Sequence, residues 1–347
     1  MIKIQKKTWW LICALVCILA ACGLYIYHSI TEKYGAFSDK EEGPYYVFID
    51  LDDNIDSVYA KLSPIASEKG MNGFKKLVAD ENYAQNIRTG RYRIDPGKRI
   101  IDVYRRLKSH QQEPLMVTVP EPRTMTRMAA LLSRKLMLDS ATIAQALTDS
   151  AVIAAYGYNQ QTLPALFIPN TYEFYWDVSL DDLLKRMAKE NGIFWNDERM
   201  AKANALGMTP VEVCTLASIV DEETANNAEK PMVAGLYLNR LRKGMLLQAD
   251  PTVKFAMQDF ALRRILNKHL TTDSPYNTYR YAGLPPGPIK VASIQGIDAV
   301  LNAKKHDYLY MCAKEDFSGT HNFAATMQEH MQNAKRYQQA LNMRGIK

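Results

Sequence analysis

Hydrophobic and polar positions follow several different rhythms along this chain, and the first is the simplest. No charge interrupts the run from Trp9 to Tyr27. As a helix it extends about 28 Å, close to the thickness of a bilayer's hydrocarbon core. Lys3, Lys6 and Lys7 precede it, and Trp9, Trp10, Tyr25 and Tyr27 stand at its ends like interfacial belts. The pattern predicts a tail over 1–8 on the cytoplasmic side, a membrane anchor over 9–27, and everything later on the other side. Leu19-Ala20-Ala21-Cys22 also fits the small-residue site at which lipoproteins are cleaved and lipidated on cysteine. The apolar run continues through Gly23–Tyr27, which favours an uncleaved anchor over that alternative.

Residues 28–44 are polar, of mixed charge and closed by Gly43-Pro44, and read as a linker. Tyr45–Ile49 has strand composition, and Asp53 or Asn54 can cap a helix carrying Val58, Leu62 and Ile65. A second helix is predicted over Asn72–Glu81, a strand over Gly90–Ile94, and a helix over Arg99–Ser109 with Ile100, Val103, Tyr104 and Leu107 on one face. This sets off a small mixed module, 45–112. Leu115–Val119 reads as a strand. The 113–205 region is otherwise mostly helical, with candidates at Met128–Leu138, Ser140–Thr148 and Leu180–Ala188. Leu166–Trp176 is too rich in aromatics and turn formers for a helix and reads as a loop with a short extended piece. A third part, 206–347, opens with Thr209 as cap before Pro210 and Glu212. It continues with a helix over Lys230–Lys243 carrying Val233, Leu236, Tyr237 and Leu241. A strand over Asp307–Met311, a loop over Gly319–Phe323 and a closing helix from Ala324 to Asn342 complete it. The fold class is α+β behind a single transmembrane helix.

With 347 residues, 47% of them hydrophobic, the chain is long enough for two or three cored domains. The net charge of +6 is mild, and no basic run with interleaved aromatics argues for nucleic acid as a partner. Cys13, Cys17 and Cys22 belong to the apolar run, leaving only Cys214 and Cys312, which make no disulfide framework. The six histidines are scattered, so neither a metal site nor a cofactor is expected.

Chemistry concentrates where an apolar helical run, Thr215–Val220, meets Asp221, Glu222 and Glu223. At about 100° per residue, Glu223 shares the face of Leu216, Ile219 and Val220, whereas Asp221 points away and Glu222 flanks. The periodicity therefore predicts a shielded Glu223 and a solvated Asp221. A carboxyl in an apolar setting beside other acids holds its proton to higher pH, as a general acid must. The competing reading is a solvated acidic helix end.

Downstream motifs weigh against that reading. Pro169-Asn170-Thr171-Tyr172, Ala217-Ser218-Ile219-Val220 with Glu223-Thr224, Tyr237-Leu238-Asn239-Arg240-Leu241, Leu247–Val253, Tyr276-Asn277-Thr278-Tyr279 and Gly283–Ile289 occur in an order and spacing that resemble the endolytic murein transglycosylases, the MltG or YceG-like family. The likeness covers nearly the whole chain beyond the anchor and is strongest from Leu163 to Phe323. Two departures are Asp221, where family members often have glutamate, and Val119-Pro120-Glu121-Pro122-Arg123-Thr124, where the family tends to have glycine after the glutamate. The resemblance implies a LysM-like module at 45–112 that holds glycan strands and a transglycosylase domain at 206–347. Its substrate would be peptidoglycan, cleaved at the β-1,4 bond between N-acetylmuramic acid and N-acetylglucosamine to leave a 1,6-anhydromuramoyl end. It also implies Glu223 as the catalytic acid, a location at the cytoplasmic membrane with the catalytic part outside, and cell-wall synthesis machinery as a further partner. Gln248, Asp250, Tyr276, Asn277, Tyr279 and His321 become candidate substrate-binding residues. For Asp250, a cap before Pro251-Thr252 is the plainer expectation. Gln248 is equally well a loop stitch, and His321 could orient a substrate or Glu223, although a lone histidine is more often a structural residue. Two other function classes stay open: a non-catalytic peptidoglycan-binding protein, and a muramidase working with two carboxylates, Glu223 and Asp250.

Overall fold

A computed structural model describes residues 6–262 and 264–345; residues 1–5 of the expected tail lie outside the described residues. The apolar run forms one helix, Lys6–Tyr34. Its Trp9–Tyr34 stretch is long and apolar enough to cross a membrane, with a mean hydropathy of 2.3. The helix continues past Tyr27 into residues expected as linker. Nothing in His28–Tyr34 breaks it, and the next glycine is Gly35.

The chain divides into two compact units, Met1–Leu115 with Glu173–Asp177, and Met116–Tyr172 with Val178–Lys347. In the first, strands Tyr45–Ile49 and Gly90–Ile94 pair antiparallel, with Tyr45 opposite Ile94 and Ile49 opposite Gly90. The period of two appears as burial: Val47 and Ile49 face inward while Tyr46 and Phe48 stay partly exposed. Asn54 caps the Ile55–Leu62 helix by accepting from the Ser57 amide at 3.0 Å. The next helix, Glu68–Glu81, starts earlier than its apolar period suggested because Ser67 accepts from the Gly70 amide at 3.0 Å. Gly70 packs against the chain: a Cβ there would lie 2.0 Å from the Phe37 carbonyl oxygen. Ile100–Lys108 buries the face predicted for it, Ile100, Val103, Tyr104 and Leu107. These side chains join Phe37, Phe74 and Tyr92 in one core.

The second unit is built around the helix Pro210–Glu223. Thr209 and Glu212 form the predicted cap reciprocally: the Thr209 amide donates to Glu212 at 2.7 Å, and the Glu212 amide to Thr209 Oγ1 at 3.3 Å. From Val213 to Val220 every residue is buried. A helix buried on all sides has no solvent face, so the single stripe read from the periodicity is incomplete. Around it pack Lys230–Arg242, Asp250–Met257, Ile294–Leu301 and the short 3-10 turn Leu163–Leu166. Ser218, within this run, accepts from the Ile289 amide at 3.0 Å and donates to the Thr215 carbonyl at 2.7 Å. It thereby pins the Gly283–Ile289 segment to the central helix.

A hairpin corrects the reading of the C-terminal part. The strand expected over Asp307–Met311 lies at Tyr310–Ala313, and the supposed loop supplies its antiparallel partner, His321–Ala324. The turn between them takes positive φ at Phe317 (60°) and Gly319 (76°), and the Lys314 amide closes it on the Thr320 carbonyl at 2.9 Å. Polar His321 and Asn322 at partly buried positions hid the alternation that marks a strand. The last helix, Met327–Met343, packs on this hairpin.

Candidate active site

Three carboxylates end the central helix, at the pole where the helix dipole already repels negative charge. Each is treated differently. Asp221 is not solvated, contrary to the helical-face prediction: its side chain is 2% exposed and pairs at 2.7 Å with Lys230, itself 8% exposed. The Ser293 amide and hydroxyl each donate to it at 2.7 Å. The cause is the missing solvent face, because the side opposite Glu223 is covered by the Ile294–Leu301 helix. That helix comes so close that a Cβ on Gly296 would fall 2.5 Å from Asp221 Oδ1. Glu222 meets Arg123 Nη2 at 2.5 Å in a more open setting. Arg123 thus has a partner on the acid helix.

Glu223 has no ion pair among the described residues. Its Oε1 accepts instead from the neutral hydroxyl of Tyr237, at 2.8 Å. Desolvation is the largest influence on its carboxyl, followed by the opposing Tyr237 bond and then by the nearby Asp250 charge; together they lift its pKa from 4.5 to about 7. For a carboxyl raised in this way, the stabilising contribution is complete below the unfolded value of 4.5 and is lost as pH climbs through about 7. Tyr237 is itself 2% exposed, and burial pushes its phenol well up, so it remains a donor. Lys230 and Tyr237 lie two turns apart on Lys230–Arg242 and so face the acid helix together. One serves Asp221 and the other Glu223.

Arg240, one turn beyond Tyr237, braces the surroundings. Its Nε donates to the Leu309 carbonyl at 2.6 Å, and Nη1 to the Leu247 carbonyl at 2.8 Å and to Gln248 Oε1 at 3.3 Å. Gln248 sits in the left-handed region, φ 52°, a position costly for a residue with a Cβ. Its amide is held by the Thr278 carbonyl at 3.1 Å, which maintains that geometry.

Glu223, Tyr237, Arg240, Gln248, Asp250, Tyr279, Cys312 and His321 line one cleft of about 210 Å³. Four of the sequence candidates beyond Glu223 therefore converge: Gln248, Asp250, Tyr279 and His321. Asp250 begins the Asp250–Met257 helix but does not cap it, since Ala249 is the cap residue. It accepts instead from the Tyr279 hydroxyl at 2.6 Å. Tyr276 and Asn277 do not line the cleft. Asn277 is 0% exposed, and its amide donates to the Leu270 and Thr272 carbonyls at 2.9 and 2.8 Å. It folds the loop rather than facing a ligand. Tyr276 packs on Phe255, ring centroids 4.6 Å apart, and burial pushes its phenol up to about 12. Sequence reading had placed Tyr237 on an apolar stripe without a chemical task, and had passed over Glu229. The Glu229 carboxylate takes the His321 amide at 2.7 Å and its ring Nδ1 at 3.0 Å. Cys214 and Cys312 are both free thiols.

An α+β chain with one apolar N-terminal helix and a protonatable acid in a polar cleft is the class that fold and site define. The YceG-like family matches residues 47–336, and the chain belongs to that family. It is 30% identical over 300 residues to the endolytic murein transglycosylase of Bacillus subtilis, a match covering 82% of this chain and 81% of that protein. The Streptococcus pneumoniae protein of the same name is 23% identical over 330 residues, and this match covers 85% of the chain but 59% of that relative. Among solved structures, a YceG-like protein of Listeria monocytogenes superposes with a TM-score of 0.55 at 26% identity, covering 83% of this chain and 98% of that one.

The buried pair tests the assignment of the three acids. Asp221→Asn keeps the shape but leaves Lys230 uncompensated, so stability should fall on the order of 3–5 kcal/mol. Thermal melts followed by circular dichroism should show a clearly lower midpoint. An unchanged midpoint would mean that Asp221 is solvated, as the periodicity had suggested.

Proposed function

We propose that this protein cleaves peptidoglycan glycan strands endolytically at the β-1,4 bond between N-acetylmuramic acid and N-acetylglucosamine, leaving a 1,6-anhydromuramoyl end. The observation that carries the reading is Glu223, which lines the cleft with a neutral hydroxyl as its hydrogen-bond partner, a setting whose desolvation pushes its carboxyl up to about 7, so that a large fraction keeps its proton near neutral pH. In the reaction, Glu223 protonates the glycosidic oxygen as the bond to muramoyl C1 breaks. The muramoyl C6 hydroxyl closes on C1. Being tethered to the same ring, it acts with an effective molarity that reaches about 10⁵–10⁸ M in well-oriented systems, so no activated water is required. The relatives named as endolytic murein transglycosylases support this reading.

Asp250 in the same cleft supports a second reading, hydrolysis by two carboxylates. The products separate the two. Mass spectrometry of digested glycan strands should show anhydro ends, whereas a hydrolase leaves reducing ends heavier by one water. Glu223→Gln should lower turnover by about 10⁴-fold or more, since general acid–base help alone is typically worth 10²–10⁴. Its circular dichroism spectrum and strand binding should stay intact. Wild-type turnover in Glu223→Gln would remove the acid from Glu223.

The Lys6–Tyr34 helix is assigned as an uncleaved anchor with its N-terminus in the cytoplasm, on its hydropathy and its lysine-rich start. Metabolic labelling with palmitate should leave the protein unlabelled at its full mass. Cys22-dependent label with loss of the preceding residues would make it a lipoprotein instead.

A further inference from the structure

A second cavity, of about 560 Å³, lies beside the acid helix, and the cleavage reaction gives it no task. It shares one helix end with the cleft: Glu222 lines this cavity and Glu223 lines the cleft. Consecutive Cα atoms are about 3.8 Å apart, so a substrate held at Glu223 comes close to the cavity wall. Glu121 and Arg123 also line the cavity, from the segment before the Met125–Leu132 helix, as do Arg127 from that helix's first turn and the ring of Phe260.

The charges around the cavity do not cancel. Glu222 is matched by Arg123 at 2.5 Å, and Glu121 by Lys290 at 2.9 Å. Arg127 is left over. Its side chain is exposed, and among the described residues no hydrogen bond or ion pair engages it. Nor does it serve its own helix, because the first turn holds no acidic residue and a cation there opposes the helix dipole. Phe260 adds an apolar face, with the Arg123 guanidinium 5.4 Å from its ring centroid. A spare guanidinium beside an aromatic ring suits a ligand that carries a carboxylate on an aliphatic frame, since guanidinium takes carboxylate through two parallel hydrogen bonds.

The substrate read above carries such a group. In peptidoglycan the lactyl group on C3 of the muramoyl ring bears a short peptide of alanine and acidic residues. Three to five extended residues reach about 10–18 Å, enough to pass from a muramoyl ring at Glu223 round the helix end into a cavity that Glu222 itself walls. We infer that this cavity is a subsite for the stem peptide of the glycan strand, in which Arg127 binds a peptide carboxylate and Phe260 packs on the aliphatic part; this rests on the peptidoglycan-cleavage reading above. The subsite gives the enzyme a preference for strands whose peptide carboxylates are free over strands in which they are amidated.

The test uses the full chain in detergent and two soluble strand preparations, one with its peptide carboxylates free and one with them converted to amides. The wild type should cleave the first with a kcat/KM about fivefold higher, the upper end for an exposed ion pair. Arg127→Ala should abolish this ratio, Arg127→Lys should retain part of it because the charge stays, and Arg127→Glu should invert it. The ratio carries its own folding control, because a loss of folded protein lowers both rates alike. Fluorescence anisotropy of labelled strands on Glu223→Gln, with and without Arg127→Ala, reads the same preference as binding without turnover. A wild type indifferent to amidation, or a preference that survives Arg127→Ala, would overturn the subsite. A wild type that cuts neither preparation would overturn the cleavage reading instead, and the anisotropy ratios would still decide the subsite. Reducing ends in place of anhydro ends would overturn the transglycosylase product alone, with the peptide preference judged by the same ratios.

Discussion

Three negative charges at the negative pole of a helix buried on all sides constitute the constraint around which this unit is arranged. Left alone they would repel one another and the helix end, so each needs a partner. Asp221 receives a buried lysine and two donors from Ser293, and Glu222 receives an arginine in a more open setting. Glu223 receives only a neutral hydroxyl. Charge compensation ties the first two into the structure. For the third, desolvation without a cationic partner is what leaves a proton available for chemistry.

The rest of the unit holds that difference in place. Gly296 lets a helix approach Asp221 so closely that a Cβ there would collide with the carboxylate. Ser218 ties the Gly283–Ile289 segment to the same helix. Arg240 joins the hairpin, the 246–248 loop and the Tyr237 helix through donors fixed in a planar fork. The cleft is thus framed by elements distant in sequence, each fastened to the helix or to its neighbour by a buried polar contact. Such contacts are costly when left incomplete, which makes the frame specific.

Much of this was legible in the sequence, and the failures have physical causes. The anchor helix, the Thr209 cap and the Ile100–Lys108 face follow local rules, and they appear as expected. Glu223 was reached from helical geometry before any family likeness. Asp221 was misplaced because periodicity reports which face is most apolar, not whether a second layer covers the opposite face. The Lys230 partner lies nine residues downstream, and the Ser293 contacts come from far along the chain. Asn277 looked like a sugar ligand because composition cannot distinguish an amide facing a cleft from one closing its own loop. Glu229 carried no signal of its own, since its meaning depends on a histidine brought close by the hairpin.

The central claim is that Glu223 keeps its proton to near-neutral pH because burial desolvates its carboxyl while its hydrogen-bond partner is a neutral hydroxyl rather than a cation. Carbon-13 NMR of glutamate-labelled protein, with Glu223→Gln identifying the resonance, measures this directly. The carboxyl should titrate at about 7 in the wild type. In Tyr237→Phe it should titrate higher still, because the lost hydrogen bond had favoured the ionised form. A resonance titrating near 4.5, unmoved by Tyr237→Phe, would contradict the account.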